Sequence, residues 1–236
     1  MKNQRRIPLE NIINCRDLGG YPCVDGSVTK FGRVLRAGVP KMPTERDIEA
    51  LKEYGVSTVI DFRGYAEDEK HASVFSNIES FNYHHISLLD INPAETEDAS
   101  LIEYYKLSVD KYMNNIAKVF KALTQANGTV MMHCFFGKDR TGIISAFLLE
   151  LAGVSMEDIV ADYQVSYVYI RQFFEDEEAS GSGLIWETNL EHLQSSEKTI
   201  SELMRYVKEK FGTVESYLKA CGVDGETLKK AAHLLK

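Results

Sequence analysis

Apolar and polar positions along the chain switch between two periods, and the switches mark out its elements. In residues 44–54 (TERDIEALKEY), Ile48, Leu51 and Tyr54 fall on one helical face, with Thr44 suited to cap the helix and Gly55 to end it. The run 56–62 (VSTVIDF) is short, apolar and rich in β-branched residues, so it predicts a strand. Residues 82–89 predict a second strand with alternating character. Between 99 and 125, Leu101, Ile102, Tyr105, Val109, Tyr112, Ile116, Val119, Phe120 and Leu123 keep helical spacing, which predicts one long helix. The turn dipeptide Asn127-Gly128 leads into an apolar strand, Thr129 to His133, and residues 141–151 (TGIISAFLLEL) predict an apolar helix stopped by Gly153. From Met156 onward the pattern is helical. Strands separated by helices imply an α/β fold: a central, largely parallel sheet flanked by helices, with a helical C-terminal part. In such sheets ligands gather at the carboxyl ends of strands, where Cys134, Asp61 and Asp90 fall.

Composition narrows the picture. At 236 residues and 44% hydrophobic content, the chain suits one domain spanning 1–236, and it shows no internal repeat. Residues 175–200 change character: acidic first, then Gly/Ser-rich, then carrying Trp186, the only tryptophan. That composition, with Gly181 and Gly183, predicts a mobile connection able to close over a cleft. The formal net charge of −8 argues against nucleic acid as a partner. No run approaches the roughly 18 apolar residues of a membrane span, and the basic N-terminus lacks the apolar stretch of a signal peptide. Four cysteines without framework spacing suit a reducing compartment, so the expected location is cytoplasmic.

Against this ordinary background one segment stands apart: His133-Cys134-Phe135-Phe136-Gly137-Lys138-Asp139-Arg140-Thr141-Gly142. It joins the 129–133 strand to the 141–151 helix. A strand–loop–helix unit aims its loop amides and the positive helix end at one point, which makes an anion site. The same field favours a cysteine thiolate, and Arg140 can clamp two phosphoryl oxygens with its planar fork. In an acidic protein, Lys138, Arg140 and the amides of residues 135–140 concentrate positive potential where an anionic substrate needs it. A nucleotide P-loop would need an earlier glycine, and Ser or Thr where Asp139 stands. Zinc would find no second ligand pair near His133-Cys134, so no metal is expected. An inert, buried Cys134 would leave the surrounding motif unexplained.

HC-x-x-G-x-x-R-T-G resembles the active-site signature of the cysteine-dependent protein tyrosine phosphatase superfamily. The GKDR form, together with Asn14-Cys15-Arg16-Asp17-Leu18-Gly19-Gly20-Tyr21, is similar to a mostly microbial subgroup of tyrosine and lipid phosphatases. Leu35-Arg36-Ala37 resembles that subgroup's LYRS/LYRA segment, Asp61-Phe62-Arg63 its DLR segment, and residues 211–218 (FGTVESYL) its FGS-x-x-x-YL stretch. These pieces run in order over nearly the whole chain.

The resemblance implies a phosphomonoester hydrolase with a protein tyrosine phosphatase-like fold and no cofactor. Cys134 is the implied nucleophile, forming a phosphocysteine, and Arg140 binds the phosphoryl group. Amides of Phe135, Phe136, Gly137, Lys138, Asp139 and Arg140 complete the phosphate cradle. Thr141 is placed to hydrogen-bond the sulfur, and His133 to hold the loop rather than to act as a base. The general acid has two candidates, Asp139 within the loop and Asp90 after the second strand. Lys138 either adds charge for a lipid phosphate or is a solvated side chain. Arg16 and Asp17 are expected to form a buried pair beside the site, with Gly19-Gly20 allowing a tight turn. Asp61 and Arg63 either line the cleft or brace it. Tyr163, Tyr167, Tyr169, Phe173 and Phe174 read as core rather than as a ligand platform. Cys15 or Cys23 would protect Cys134 through a disulfide if either lies close enough. The substrate is a phosphorylated protein or a phosphoinositide, and the product inorganic phosphate. Two other classes compete: a catalytically silent phosphate-binding module, and a sulfurtransferase or arsenate reductase. Intact Cys134, Arg140 and Thr141 weigh against the first; the second needs a resolving cysteine or persulfide chemistry.

Overall fold

The computed structural model describes residues 4–64, 73–88, 100–180 and 194–236. Its strands are β1 (Ile13–Asp17), β2 (Val34–Gly38), β3 (Val56–Asp61), β4 (Asn82–His85) and β5 (Thr129–Cys134). They form one sheet in the order β1-β2-β5-β3-β4, in which β1 is antiparallel to β2 and all other pairs are parallel. The described helices are α1 (Glu45–Tyr54), α2 (Leu101–Lys111), α3 (Met113–Gln125), α4 (Asp139–Leu151), α5 (Met156–Ser180), α6 (Glu197–Phe211), α7 (Val214–Ala220) and α8 (Gly225–Leu234). This is the expected α/β architecture, with the expected helical C-terminal part. Among the described residues, no helix is long and apolar enough to cross a membrane.

Side-chain alternation along the strands divides the interior in two. Val130, Met132 and Cys134 of β5 face a large core shared with α2 to α8, while Met131 faces a smaller one closed by α1, Phe75 and Phe81. β5 is the middle strand and every residue of it is buried. Its last residue, Cys134, therefore ends at the centre of the sheet's carboxyl edge, where open α/β sheets place their ligands.

Local signals fix the element ends. Thr44 and Asp47 form a reciprocal capping box on α1, and Gly55 closes it at φ 98°. Ser100 and Glu103 cap α2 in the same way. Three expectations need correction. The single helix predicted over 99–125 is two, α2 and α3, broken at Tyr112 (φ −105°, ψ 23°). Tyr112 N still donates to Ser108 O (3.1 Å) and Ile116 N to Tyr112 O (2.9 Å), so the apolar stripe survives the kink. Asn114 and Asn115 follow it, both weak helix formers, and the Asn115 amide donates instead to Ser87 O at 2.7 Å. The second strand is regular only to His85, although the Ile86 and Leu88 amides go on bonding to Asp61 O and Phe62 O (2.9 and 3.3 Å). The helix after the loop starts at Asp139, two residues before the predicted Thr141. Of the predicted mobile connection, α5 runs on to Ser180 and α6 begins at Glu197; Gly181, Gly183 and Trp186 lie outside the described residues.

Candidate active site

Cys134 ends β5 with 2% of its surface exposed, and residues 135–138 carry the chain into α4. The loop lies in backbone contact with the end of β2, and two glycines allow it. A Cβ on Gly38 would be driven into the backbone of Phe136, and one on Gly137, at φ 68°, into the Ala37 carbonyl.

The loop's carbonyls are tied down from beneath. Asn14 Nδ2 donates to Phe136 O and Gly137 O, both at 3.1 Å. Arg36 Nη2 donates to Gly137 O at 2.8 Å and, more weakly, to Lys138 O at 3.4 Å. In a planar trans peptide the N–H points opposite to the C=O. The amides of residues 137, 138 and 139 therefore point away from the underside, which makes a cradle for an anion before one arrives. A bulge in β1 supplies the first tie. Asn14 adopts φ 54°, a left-handed conformation that Asn tolerates, and the register against β2 slips between Ile13 and Arg16.

Arg36 is held in turn by a buried ion network. It faces Arg16 across the β1–β2 ladder, a pairing that would repel if left alone. Asp162 of α5 joins the two: Arg16 Nε lies 2.8 Å from one carboxylate oxygen, and Arg36 Nη1 donates to the other. Arg16 Nη2 donates to Ser166 Oγ (3.0 Å), and Tyr21 OH donates to Asp162 (3.0 Å). Burial penalises the Asp162 carboxylate, but the two guanidiniums outweigh it and hold the group below the ordinary carboxylate range. Two buried cations against one buried anion leave net positive charge under the loop.

On the far side, Asp61 and Arg63 form an ion pair at the carboxyl end of β3. Arg63 Nε and Nη2 reach Asp61 at 3.0 and 2.6 Å, with both side chains almost fully buried. Burial opposes ionisation of Asp61, yet the Arg63 guanidinium hydrogen-bonded to it brings its net shift below the ordinary range. His133 Nε2 lies 3.5 Å from Asp61, and Nδ1 is 3.4 Å from the Cys134 carbonyl. Burial holds the imidazole towards its neutral form. Arg140, in the first turn of α4, places Nη1 3.5 Å from Phe62 O. The Thr141 hydroxyl is buried with no hydrogen-bond partner among the described residues.

The rim of the loop is built differently. Asp139 Oδ1 accepts a 2.6 Å hydrogen bond from Tyr105 of α2 and lies 3.3 Å from Lys138 Nζ. Lys138 is itself buried, so it is not the solvated side chain of one sequence reading. The Phe136 ring packs on Phe135 (4.8 Å between centroids) and on Phe174 of α5 (5.7 Å). Tyr163 and Phe173 are buried as expected, but Phe174 meets the loop and Tyr163 OH reaches Tyr105 OH at 2.7 Å.

Several sequence-predicted residues fall elsewhere. Arg16 and Asp17 are both buried but not paired with each other, because successive strand residues point to opposite faces. Asp17 instead accepts from the Gly19 and Gly32 amides and from Tyr54 OH (2.6, 2.7 and 2.6 Å), fixing the 17–20 turn. Neither proposed disulfide partner is placed to reach Cys134. Cys15 belongs to the smaller core, on the opposite face of the sheet. Cys23 bridges to Val154, beyond the far end of α4, about 20 Å away at the helical rise per residue. All four cysteines are free. Asp90 lies outside the described residues. Among the described residues, no three His, Cys, Asp or Glu side chains are grouped to hold a metal ion.

Sequence reading missed the roles of Asn14, Arg36, Asp162, Ser166 and Tyr105. Arg36 did carry a signal: a charge inside a buried strand must find a partner. The partner, Asp162, is 126 residues away.

The sequence profile of the tyrosine phosphatase family matches residues 7–235. A protein of Cupriavidus necator, provisionally named a tyrosine-protein phosphatase, is 28% identical over 244 residues, covering 93% of this chain and 85% of its own length. A tyrosine-protein phosphatase of Nostoc commune is 34% identical over 134 residues, covering 54% of this chain and 46% of its own. The triple specificity protein phosphatase PtpB of Mycobacterium tuberculosis is 29% identical over 134 residues, covering 48% and 46%. With the profile spanning nearly all of a chain whose central strand ends in a preformed anion cradle, this protein belongs to the tyrosine phosphatase family.

Proposed function

We propose that this protein hydrolyses phosphomonoesters in two steps through a phosphocysteine at Cys134. The observation that carries the reading is the cradle: Asn14 and Arg36 hold the loop carbonyls down, so the amides of residues 137, 138 and 139 point to the side where an anion would sit. In the first step the Cys134 sulfur attacks phosphorus, the S–P bond forms and the P–O bond to the leaving group breaks. Arg140 and the loop amides of Phe135, Phe136, Gly137, Lys138, Asp139 and Arg140 take up the charge that develops on the other oxygens. Asp139 gives its proton to the leaving oxygen. In the second step water attacks the phosphocysteine, Asp139 takes the water's proton, and the S–P bond breaks to release inorganic phosphate. The buried Thr141 hydroxyl, which has no other partner among the described residues, is suited to stabilise the departing sulfur. His133, Asp61 and Arg63 brace the strand ends, and Arg16 supports the cradle through Asp162; Asp17 serves the fold.

Asp139 is preferred over Asp90 as the acid because it sits at the loop rim with a quarter of its side chain exposed. The four free cysteines suit a reducing compartment, which supports a cytoplasmic location. Phosphotyrosine in a protein is the substrate the family membership favours. Phosphoinositide hydrolysis by the same chemistry is the second reading, supported by the buried Lys138 cation beside Asp139.

The test is phosphate release from a phosphotyrosine peptide and a phosphoinositide side by side, without added metal. The expected result is release from the peptide, lost by several orders of magnitude in Cys134→Ser and reduced about 10²–10³-fold in Arg140→Lys. Release chiefly from the lipid would select the second reading. Tight phosphate binding without turnover of either substrate would favour a silent binding module and overturn both.

A further inference from the structure

Tyr105 lies on α2, fully buried in the main core, and helical spacing alone would class it as packing. Its hydroxyl does something more specific. It donates to Asp139 Oδ1 at 2.6 Å, and Tyr163 OH lies 2.7 Å behind it. A phenol has a single proton to give. Since Tyr105 gives its own to Asp139, Tyr163 must be the donor to Tyr105. Burial, then the nearby Asp139 charge, push both phenols far above their ordinary range, so this donor order holds across the working pH.

The consequence falls on the carboxyl group. Oδ1 accepts from Tyr105 and faces Lys138 Nζ at 3.3 Å. Oδ2 accepts no hydrogen bond from any described residue. Among the described residues, the charged and titratable groups around this end are Tyr105 on α2, Tyr163 on α5, Lys138 and Arg140 flanking Asp139 in the chain, and Arg36 close to Tyr163. A proton placed on Oδ1 would oppose both Tyr105 and Lys138, whereas one on Oδ2 opposes neither.

We propose that Tyr105 is a positioning residue for the general acid: it occupies Oδ1 of Asp139, so that the proton given to the leaving group is carried on Oδ2. This rests on the reading of Asp139 as the acid. Tyr105 touches no reacting atom; it fixes the carboxyl rotamer and the oxygen that delivers the proton. Tyr163 stands behind it as the second link.

General-acid help matters most when the leaving oxygen is a poor one, and that provides a readout which mere packing would not move. Turnover is measured on p-nitrophenyl phosphate, a good leaving group, and on phenyl phosphate, a poor one. The variants are Asp139→Asn, Tyr105→Phe, Tyr163→Phe and the Asp139→Asn/Tyr105→Phe double. Tyr→Phe keeps the ring volume, and melting temperature and phosphate binding check that each variant folds. Tyr105→Phe is expected to lose roughly tenfold on phenyl phosphate, the worth of one good hydrogen bond, and far less on p-nitrophenyl phosphate. Tyr163→Phe should show the same pattern more weakly, and Tyr105→Phe should cost nothing further once Asp139 is Asn. Equal losses on the two substrates for Tyr105→Phe, or a further loss in the double variant, would overturn the proposal while leaving Asp139 as the acid. A loss in Asp139→Asn that ignores the leaving group would overturn the reading of Asp139 itself.

Discussion

The underside and the rim of the phosphate loop are built on opposite plans. Beneath, Asn14, Arg36, Arg16 and Asp162 come from three separate parts of the chain and are almost wholly buried, with the carboxylate shared between two guanidiniums. At the rim, Asp139 is partly exposed and one carboxyl oxygen accepts from no described residue. A buried, ion-paired network favours one arrangement and fixes shape. A half-satisfied carboxyl group at a surface can gain and lose a proton without disturbing that shape. The loop thus separates holding the phosphoryl group from moving the proton, and the two tasks should fail separately.

The largest expected effect lies on the underside. Asp162→Asn leaves two buried guanidiniums without a counter-charge and should cost about 3–5 kcal/mol of stability, read as a lower melting temperature. Phosphate or vanadate affinity should fall with it, because Arg36 loses its anchor. The counterpart at the rim is Asp139→Asn, expected to lower turnover about 10²–10⁴-fold while melting temperature and phosphate affinity stay near those of the parent. If Asp139→Asn also lost affinity, or Asp162→Asn kept it, the division of labour would fail.

Gly38→Ala sharpens the same contrast with a smaller change. The added Cβ is driven into the Phe136 backbone, so the loop must shift at a cost of roughly 1–3 kcal/mol. Weaker phosphate binding is expected, with a preserved ratio of turnover between good and poor leaving groups. The smallest effect is on the pH dependence of stability. Asp162 has its folded carboxyl held below the ordinary range by Arg16 and Arg36, so the folded state binds that proton more weakly than the unfolded chain does. Its stabilisation is whole above the ordinary carboxylate value, about pH 4, and drains away as pH falls through the lower folded value. Urea midpoints for Asp162→Asn should therefore fall less steeply with acid than those of the parent; an identical slope would remove Asp162 as a contributor.

Much of the holding apparatus was legible in one dimension. The strand, loop and helix around Cys134 are contiguous, and Thr44 and Gly55 mark the ends of α1 by local chemistry alone. The ties beneath the loop are not contiguous. Asn14 bonds to carbonyls 122 and 123 residues away, and Arg16 meets Asp162 across 146. The expected Arg16–Asp17 pair failed because adjacency in a strand means opposite faces. Tyr105 was legible as a core position, but periodicity reports where a ring packs and not what its hydroxyl touches.

The most direct test of the central chemistry is a rapid denaturing quench during turnover of a phosphotyrosine peptide, followed by mass spectrometry of the enzyme. A single phosphoryl group on Cys134, more abundant in Asp139→Asn if release is slowed and absent from Cys134→Ser, is the expected result. Full turnover with no phosphoryl group on Cys134, or with Cys134→Ser still active, would contradict the mechanism.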